Sequence, residues 1–187
     1  MLANTIFEDA VEKIFDITKR FAAALEAAAI PYRVVGGLAV FVHVNARDPM
    51  AARLTKDVDV SIDRKNLDAI RAALEPYGFT FRHVAGVDMF VDANNPNASA
   101  AVHLLFAGER VRSDDVESVP FSLPEQSTRG FMIAPVADLV HMKLTSFRLK
   151  DQVHIQDLDN AGLITPEIEQ TLSTPLRARL REVRLKR

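Results

Sequence analysis

Two adjacent glycines at the end of an apolar run, followed by a strand with two carboxylates one residue apart, constrain this chain more than any other stretch. The first part reads Val34-Val35-Gly36-Gly37-Leu38-Ala39-Val40, and the second Thr55-Lys56-Asp57-Val58-Asp59-Val60-Ser61-Ile62-Asp63. Alternate side chains of a strand share a face, so Asp57 and Asp59 point the same way. Two like charges that close repel each other, and a divalent cation between them makes the arrangement favourable. Mg²⁺ takes carboxylate oxygens and leaves coordination positions open for substrate phosphates. Without a Cβ, Gly36-Gly37 lets the backbone approach a ligand closely, and a helix starting there offers unpaired N–H groups to an anion.

The flanking segments supply a scaffold. From about Ile6 to Ala29 the apolar residues Ile6, Ala10, Val11, Ile14, Phe15, Ile17, Phe21, Leu25 and Ala28 recur at spacings of three and four, which predicts an amphipathic helix. Pro31 cannot continue it, and Tyr32–Val35 reads as a buried first strand. Leu38–Val44 reads as a short second helix, Asn45–Leu54 as a loop and Asp57–Ile62 as the central strand. Asp63 is a plausible N-cap for a helix over Arg64–Pro76, which Gly78 ends. Three strands are expected at Phe79–Val84, Val87–Val91 and Ala100–Phe106; the short connections Ala85-Gly86 and Asp92–Ser99 favour antiparallel pairing. Residues 107–130, with Pro120 and Pro124, read as a linker over the surface. A helical unit opens at Ala134-Pro135, and a last helix begins near Pro166. It leads into Arg177, Arg179, Arg181, Arg184, Lys186 and Arg187, read as a solvated, frayed terminus.

The glycine turn, the loop and the Asp-x-Asp strand, with Arg53, Thr55 and Lys56 leading into the acids, resemble the nucleotidyltransferase superfamily, above all its minimal and AbiEii-like toxin–antitoxin branches. The resemblance covers about residues 6–160. It implies an α/β (α+β) fold: a mixed sheet with helices on one face and a C-terminal helical extension. The expected organisation is a core over 1–112, a linker over 113–130 and a helical segment over 131–187 packed on the core. It further implies Mg²⁺ or Mn²⁺ at Asp57 and Asp59, an NTP as substrate, and Gly36, Gly37, Thr55 and Lys56 around the nucleotide. The segment from Lys143 through Arg148, Lys150, Asp151 and His154 to Asp157 is similar to the family's C-terminal lysine and Lys-Asp motif, whose cations face the triphosphate. Lys143, Lys150 and His154 share one face if the helix is unbroken.

The family pattern breaks at one position. A third acid is expected on a neighbouring strand, and Ala101-Val102-His103-Leu104-Leu105-Phe106 carries His103 there instead. A neutral imidazole ligates Mn²⁺, Fe²⁺ or Zn²⁺ better than Mg²⁺, so His103 is either a third metal ligand or base, or an ordinary half-buried histidine. Glu109 and Asp88 are the alternative sources of a carboxylate.

Composition limits the remaining choices. With 187 residues and 48% hydrophobic content the chain buries a core of its own. A net charge of −2 argues against nucleic-acid wrapping as a main task, while an RNA end, a protein hydroxyl or a small molecule stays open as acceptor. The absence of cysteine excludes disulfides and thiolate zinc sites and agrees with a cytoplasmic setting. Glu8, Glu12 and Asp16 interrupt the first apolar segment, so no membrane span or secretory leader is expected. The expected partners are a nucleotide and, from the resemblance, a toxin or antitoxin protein.

Overall fold

A computed structural model describes residues 2–53, 55–93 and 101–186. The Asp92–Ser99 connection beyond Ala93, the first residue of the Ala100–Phe106 strand, Leu54 and Arg187 lie outside the described residues, as do the side chains of Ile6 and Ala10. Helix α1 (Leu2–Ala27) leads into β1 (Tyr32–Val35), α2 (Gly36–Arg47) and β2 (Val58–Ile62). Then come α3 (Leu67–Leu74), β3 (Phe79–Val84), β4 (Val87–Asp92) and β5 (Ala101–Phe106). Two short strands, β6 (Glu125–Gln126) and β7 (Met132–Ile133), precede α4 (Val136–Ser146), α5 (Leu149–Asn160), α6 (Pro166–Thr171) and α7 (Thr174–Leu185).

The seven strands form one mixed sheet in the order β3-β4-β5-β2-β1-β7-β6. β2 lies at its centre, antiparallel to β1 and parallel to β5. Val58, Val60 and Ile62 of β2 share a face with Val34 of β1 and Val102 of β5. Phe90 of β4 continues that face through its pairing with Val102. Helix α1 covers it: Phe21 is fully buried and meets the rings of Phe79 and Phe90 edge-on, with centroids 5.5 and 5.7 Å away. Burying a phenylalanine of this kind contributes about 2–3 kcal/mol.

Helix α2 is longer than its apolar run indicates. Gly36 turns the chain at φ +69 and the helix starts at once, continuing until Asp48, which stands before Pro49 and adopts an extended conformation. The helix expected over Arg64–Pro76 is one α-helical segment between two 3-10 turns, Arg64–Asn66 and Glu75–Tyr77. Asp63 caps its start by accepting from the Lys65 N–H at 3.1 Å, and Gly78, at φ 81, ends it.

Two further expectations are corrected. Residues 107–130 do not simply cross the surface: Val119, Asp115 and Ser127 are buried, and Ser122 donates twice to the buried Asp138 of α4. The prolines signal the absence of a long helix, which is a different property from exposure. Nor is the basic terminus a frayed coil, since α7 buries Leu176, Leu180 and Val183 at helical spacing. Arg179 donates to the carbonyls of Leu144 and Thr145 at 2.7 Å, at the C-terminal end of α4, where a cation complements the helix dipole. Arg184 reaches Asp159 at 2.8 Å and Glu169 at 2.6 Å.

Candidate active site

The sheet register brings the candidate residues together. Asp59 on β2 stands between Val35 on β1 and His103 on β5. The turn after Val35 therefore passes directly beside the Asp59 carboxylate. A Cβ on Gly36 would lie 2.0 Å from Asp59 Oδ2, so only glycine fits, and the left-handed φ demands it independently. At Gly37 a Cβ would meet Thr55 Cβ and Oγ1 at 2.9 Å and His154 Cε1 at 3.3 Å. Thr55 is thus packed against the turn while its hydroxyl accepts from the Asp57 N–H at 3.3 Å, which fixes the chain entering β2. Lys56 is exposed, and neither it nor Thr55 lines the cleft.

A cleft of about 360 Å³ opens over this edge of the sheet. Gly36, Asp57, Asp59, His103, Lys143, Arg148 and Lys150 all line it, whereas Gly37 and His154 sit just behind its wall. The cations do not come from one continuous helix, as the sequence spacing implied. Phe147 adopts a left-handed conformation at φ 50, α4 stops, and α5 restarts with Arg148 as its N-cap. Asp151 causes the restart by accepting from the Arg148 backbone N–H at 3.3 Å and from its Nε at 2.8 Å. The same carboxylate holds Lys143 Nζ at 3.0 Å and accepts from the Ser146 hydroxyl. Burial alone would push the Asp151 pKa up; the charge of Lys143 and the hydrogen bonds from Arg148, Ser146 and Lys143 outweigh it and hold the group at about 2.

Lys143 is therefore a buried, aimed cation, and Lys150 a more mobile one. Lys150 Nζ lies 3.4 Å from Asp57 Oδ2 with more than half of its side chain exposed, a pair of little net stability in water. His103 Nδ1 faces Asp59 Oδ1 at 3.5 Å. That contact is the main reason its pKa is raised, against the opposing effect of burial; the charges of Asp59 and Asp57 add to the rise and Lys150 reduces it. His154 goes the other way. Burial, then the Lys143 charge, push it down to about 4, and its Nδ1 is buried without a hydrogen-bond partner among the described residues.

The two alternative acids are occupied elsewhere. Glu109 follows the end of β5 and binds Arg64 through both oxygens at 2.5 and 2.7 Å, and Asp88 pairs with His83 at 2.5 Å. Neither lines the cleft. Among the described residues no group of three His, Asp or Glu side chains is arranged to hold a metal ion. Asp57 and Asp59 are the acids beside the Gly36 turn that could hold a hard cation, with His103 next to Asp59; Asp115 and Glu117, which also line the cleft, are engaged by the Arg112 N–H and by His141. Sequence reasoning missed the opposite wall, where Arg112, Asp115, Glu117 and Val119 face the cleft. A polar stretch without periodicity carries no signal of that placement.

Comparison with solved structures agrees with the architecture, which is that of nucleotidyltransferase-like folds. The chain is similar to an antigenic nucleotidyltransferase-like protein from Paracoccidioides brasiliensis, with a TM-score of 0.59 at 16% identity over 94% of this chain and 89% of that one. It is also similar to the antibiotic-resistance factor ANT(2'')-Ia in solution, with a TM-score of 0.55 at 12% identity over 92% of this chain and 91% of that one. The crystal structure of ANT(2'')-Ia in complex with adenylyl-2''-tobramycin gives a TM-score of 0.51 at 12% identity, covering 92% and 97% of the two chains. No protein-family model matches the sequence, and no curated protein matches it significantly.

Proposed function

We propose that this protein is a metal-dependent nucleotidyltransferase that moves a nucleoside monophosphate from an NTP to a hydroxyl acceptor. The observation that carries the reading is the placement of two carboxylates, Asp59 on β2 and Asp57 just before it, together with Lys143, Arg148 and Lys150 in a single cleft beside the Gly36 turn. The solved neighbours named for nucleotidyl transfer, and the complex with an adenylylated product, support it through the fold. Asp57 and Asp59 would hold Mg²⁺ or Mn²⁺, which supplies charge neutralisation at the α-phosphate. Lys143, Arg148 and Lys150 would face the β- and γ-phosphates and stabilise the departing pyrophosphate, with Lys150 leaving Asp57 as the nucleotide enters. His103 would take the proton of the attacking hydroxyl or serve as a third ligand, and Gly37, Thr55 and Lys56 would shape the nucleotide side of the turn.

The test is label transfer from α-³²P-NTPs to total RNA, protein and small-molecule extracts in Mg²⁺ and Mn²⁺, with Asp57→Asn/Asp59→Asn as control. Transfer by the wild type alone is the expected result; equal Mn²⁺ binding by both proteins in calorimetry would overturn the metal assignment. His103 favours a second reading. Its imidazole pairs with Asp59 where a third carboxylate is needed, as in a catalytically degenerate module that binds a nucleotide or a toxin–antitoxin partner. Nucleotide binding without transfer, unchanged when His103→Asp restores the acid, would select that reading.

A further inference from the structure

Behind the cleft, on the same face of the sheet as Asp59, lies a second polar pair that the proposed chemistry does not use. Arg33 on β1 stands opposite Ser61 on β2, and both side chains are buried. Ser61 is two residues from Asp59 on one strand, so it is displaced along that face by about 7 Å. Neither Nε nor Nη1 of Arg33, nor the Ser61 hydroxyl, has a hydrogen-bond partner among the described residues. An arginine only 3% exposed with two unsatisfied nitrogens is costly to keep, because a buried charge is tolerated when it is paired and hydrogen-bonded.

Its surroundings explain the cost only in part. Phe121 lies over the guanidinium with its ring centroid 4.0 Å from Cζ, and Asp138 exerts an electrostatic pull. Asp138, however, is already committed to the Ser122 N–H at 3.1 Å and the Ser122 hydroxyl at 2.6 Å. The two orphaned groups of Arg33 and Ser61 therefore face each other across one strand pair with donors to spare. Phe121 is 52% exposed and sits on the segment whose Ser118 and Val119 line the cleft, and Leu105, the β5 neighbour of Ser61, lines its floor. Arg33, Ser61 and Phe121 do not themselves line the cleft, which they adjoin through Leu105.

We propose that Arg33 and Ser61 form an anion subsite under Phe121 that takes a compact oxyanion, a carboxylate or a phosphate group, beside the cleft. Guanidinium N–H groups and a hydroxyl are the donors such a group requires, and the stacked ring shields the contact from water. The subsite stands whether or not the cleft transfers nucleotides.

The chain has no tryptophan, so Phe121→Trp places a single reporter over Arg33. Titration with sodium acetate and with sodium phosphate, against sodium chloride at matched ionic strength, should change its emission saturably with one or both oxyanions. Response to acetate alone assigns a carboxylate ligand, response to phosphate alone a phosphate ligand, and each supports the subsite. Adding Arg33→Met should weaken the response at least tenfold, whereas adding Lys150→Met should leave it within twofold. An equal response to chloride, survival of the response in the Arg33→Met background, or no response at all overturns the proposal. Should the tryptophan disturb the fold, thermal melting replaces it: acetate or phosphate should raise the Tm of Lys150→Met by clearly more than that of Lys150→Met/Arg33→Met. A lower Tm of Arg33→Met in oxyanion-free buffer without any oxyanion effect on Lys150→Met would instead assign Arg33 a purely structural pairing with Asp138 and refute the subsite.

Discussion

Replacing Asp151 by asparagine should destabilise the fold far more than a change of one atom indicates. Asp151 is fully buried and Lys143 is 6% exposed, so the substitution leaves a buried ammonium without its counter-charge. It also sets an amide NH₂ among four donors: Lys143 Nζ, the Ser146 hydroxyl, and the backbone N–H and Nε of Arg148. Breaking a buried ion pair from one side costs about 3–5 kcal/mol, and the shared hydrogen bonds place this case at the upper part of that range. Linkage gives an independent check on the charge contribution. An aspartate that titrates at 3.8 in the unfolded chain and is held at about 2 in the fold contributes about 2 kcal/mol near neutral pH. Because the folded value is depressed, that stability is complete above about pH 4 and disappears as pH falls toward 2. Urea unfolding followed by circular dichroism at pH 7 and at stepwise lower pH measures both. The double variant Lys143→Met/Asp151→Leu should recover much of the loss, since apolar groups of similar size replace a buried pair at little cost. An Asp151→Asn protein within about 0.5 kcal/mol of wild type would refute the claim that this carboxylate organises the α4–α5 junction.

Three further outcomes are expected. The depressed His154 pKa means that the unfolded chain takes up a proton before the folded one does; stability should fall between pH 6.5 and about 4, by up to about 3 kcal/mol, and His154→Leu should flatten that slope in urea titrations. Gly36→Ala should cost about 1–3 kcal/mol, because a Cβ there collides with Asp59 and alanine resists the positive φ; a thermal melt unchanged from wild type would contradict the packing of the turn. Arg184→Met removes contacts made by a side chain about one-third exposed to the nearly buried Asp159 and the partly exposed Glu169, so a loss of roughly 1 kcal/mol in urea unfolding is expected, and none if the basic terminus were solvated.

The parts of the fold legible in the sequence are those governed by local physics. Period and punctuation locate α1, β1, β2 and the β3–β4 hairpin within a few residues, because each element buries one face and ends at a proline, a glycine or a cap. Asp59 and Gly36 were visible for the same reason, a strand's alternation and a glycine turn being local, whereas β2 begins at Val58, one residue later than expected, and leaves Asp57 just outside it. The break at Phe147 was not, since Asp151 caps α5 by reaching back to Arg148, and helical spacing alone treats Lys143 through His154 as continuous. The 107–130 wall depends on contacts with distant elements for which no pattern in its own residues provides a sign, whereas α7 carries one in Leu176, Leu180 and Val183 at helical spacing, and only its anchoring by Arg179 on the α4 carbonyls is non-local.

The pairing of the central strands has a consequence for how the molecule reaches this state. β1 finds β2 across a short stretch of chain, but β7 adds to β1 by pairing Ile133 with Val34, beside a bond from the Met132 N–H to the Tyr32 hydroxyl 100 residues away in sequence. β5 must likewise return to β2 past the whole β3–β4 hairpin before His103 comes beside Asp59. The entropy of closing those loops is spent before the contacts reward it, so folding is expected to be slow for a chain this rich in helix, on a millisecond-to-second scale. The cleft is then among the last features to form: α1, α3 and the hairpin can condense early, while the carboxylates and cations meet only once the sheet has closed around β2.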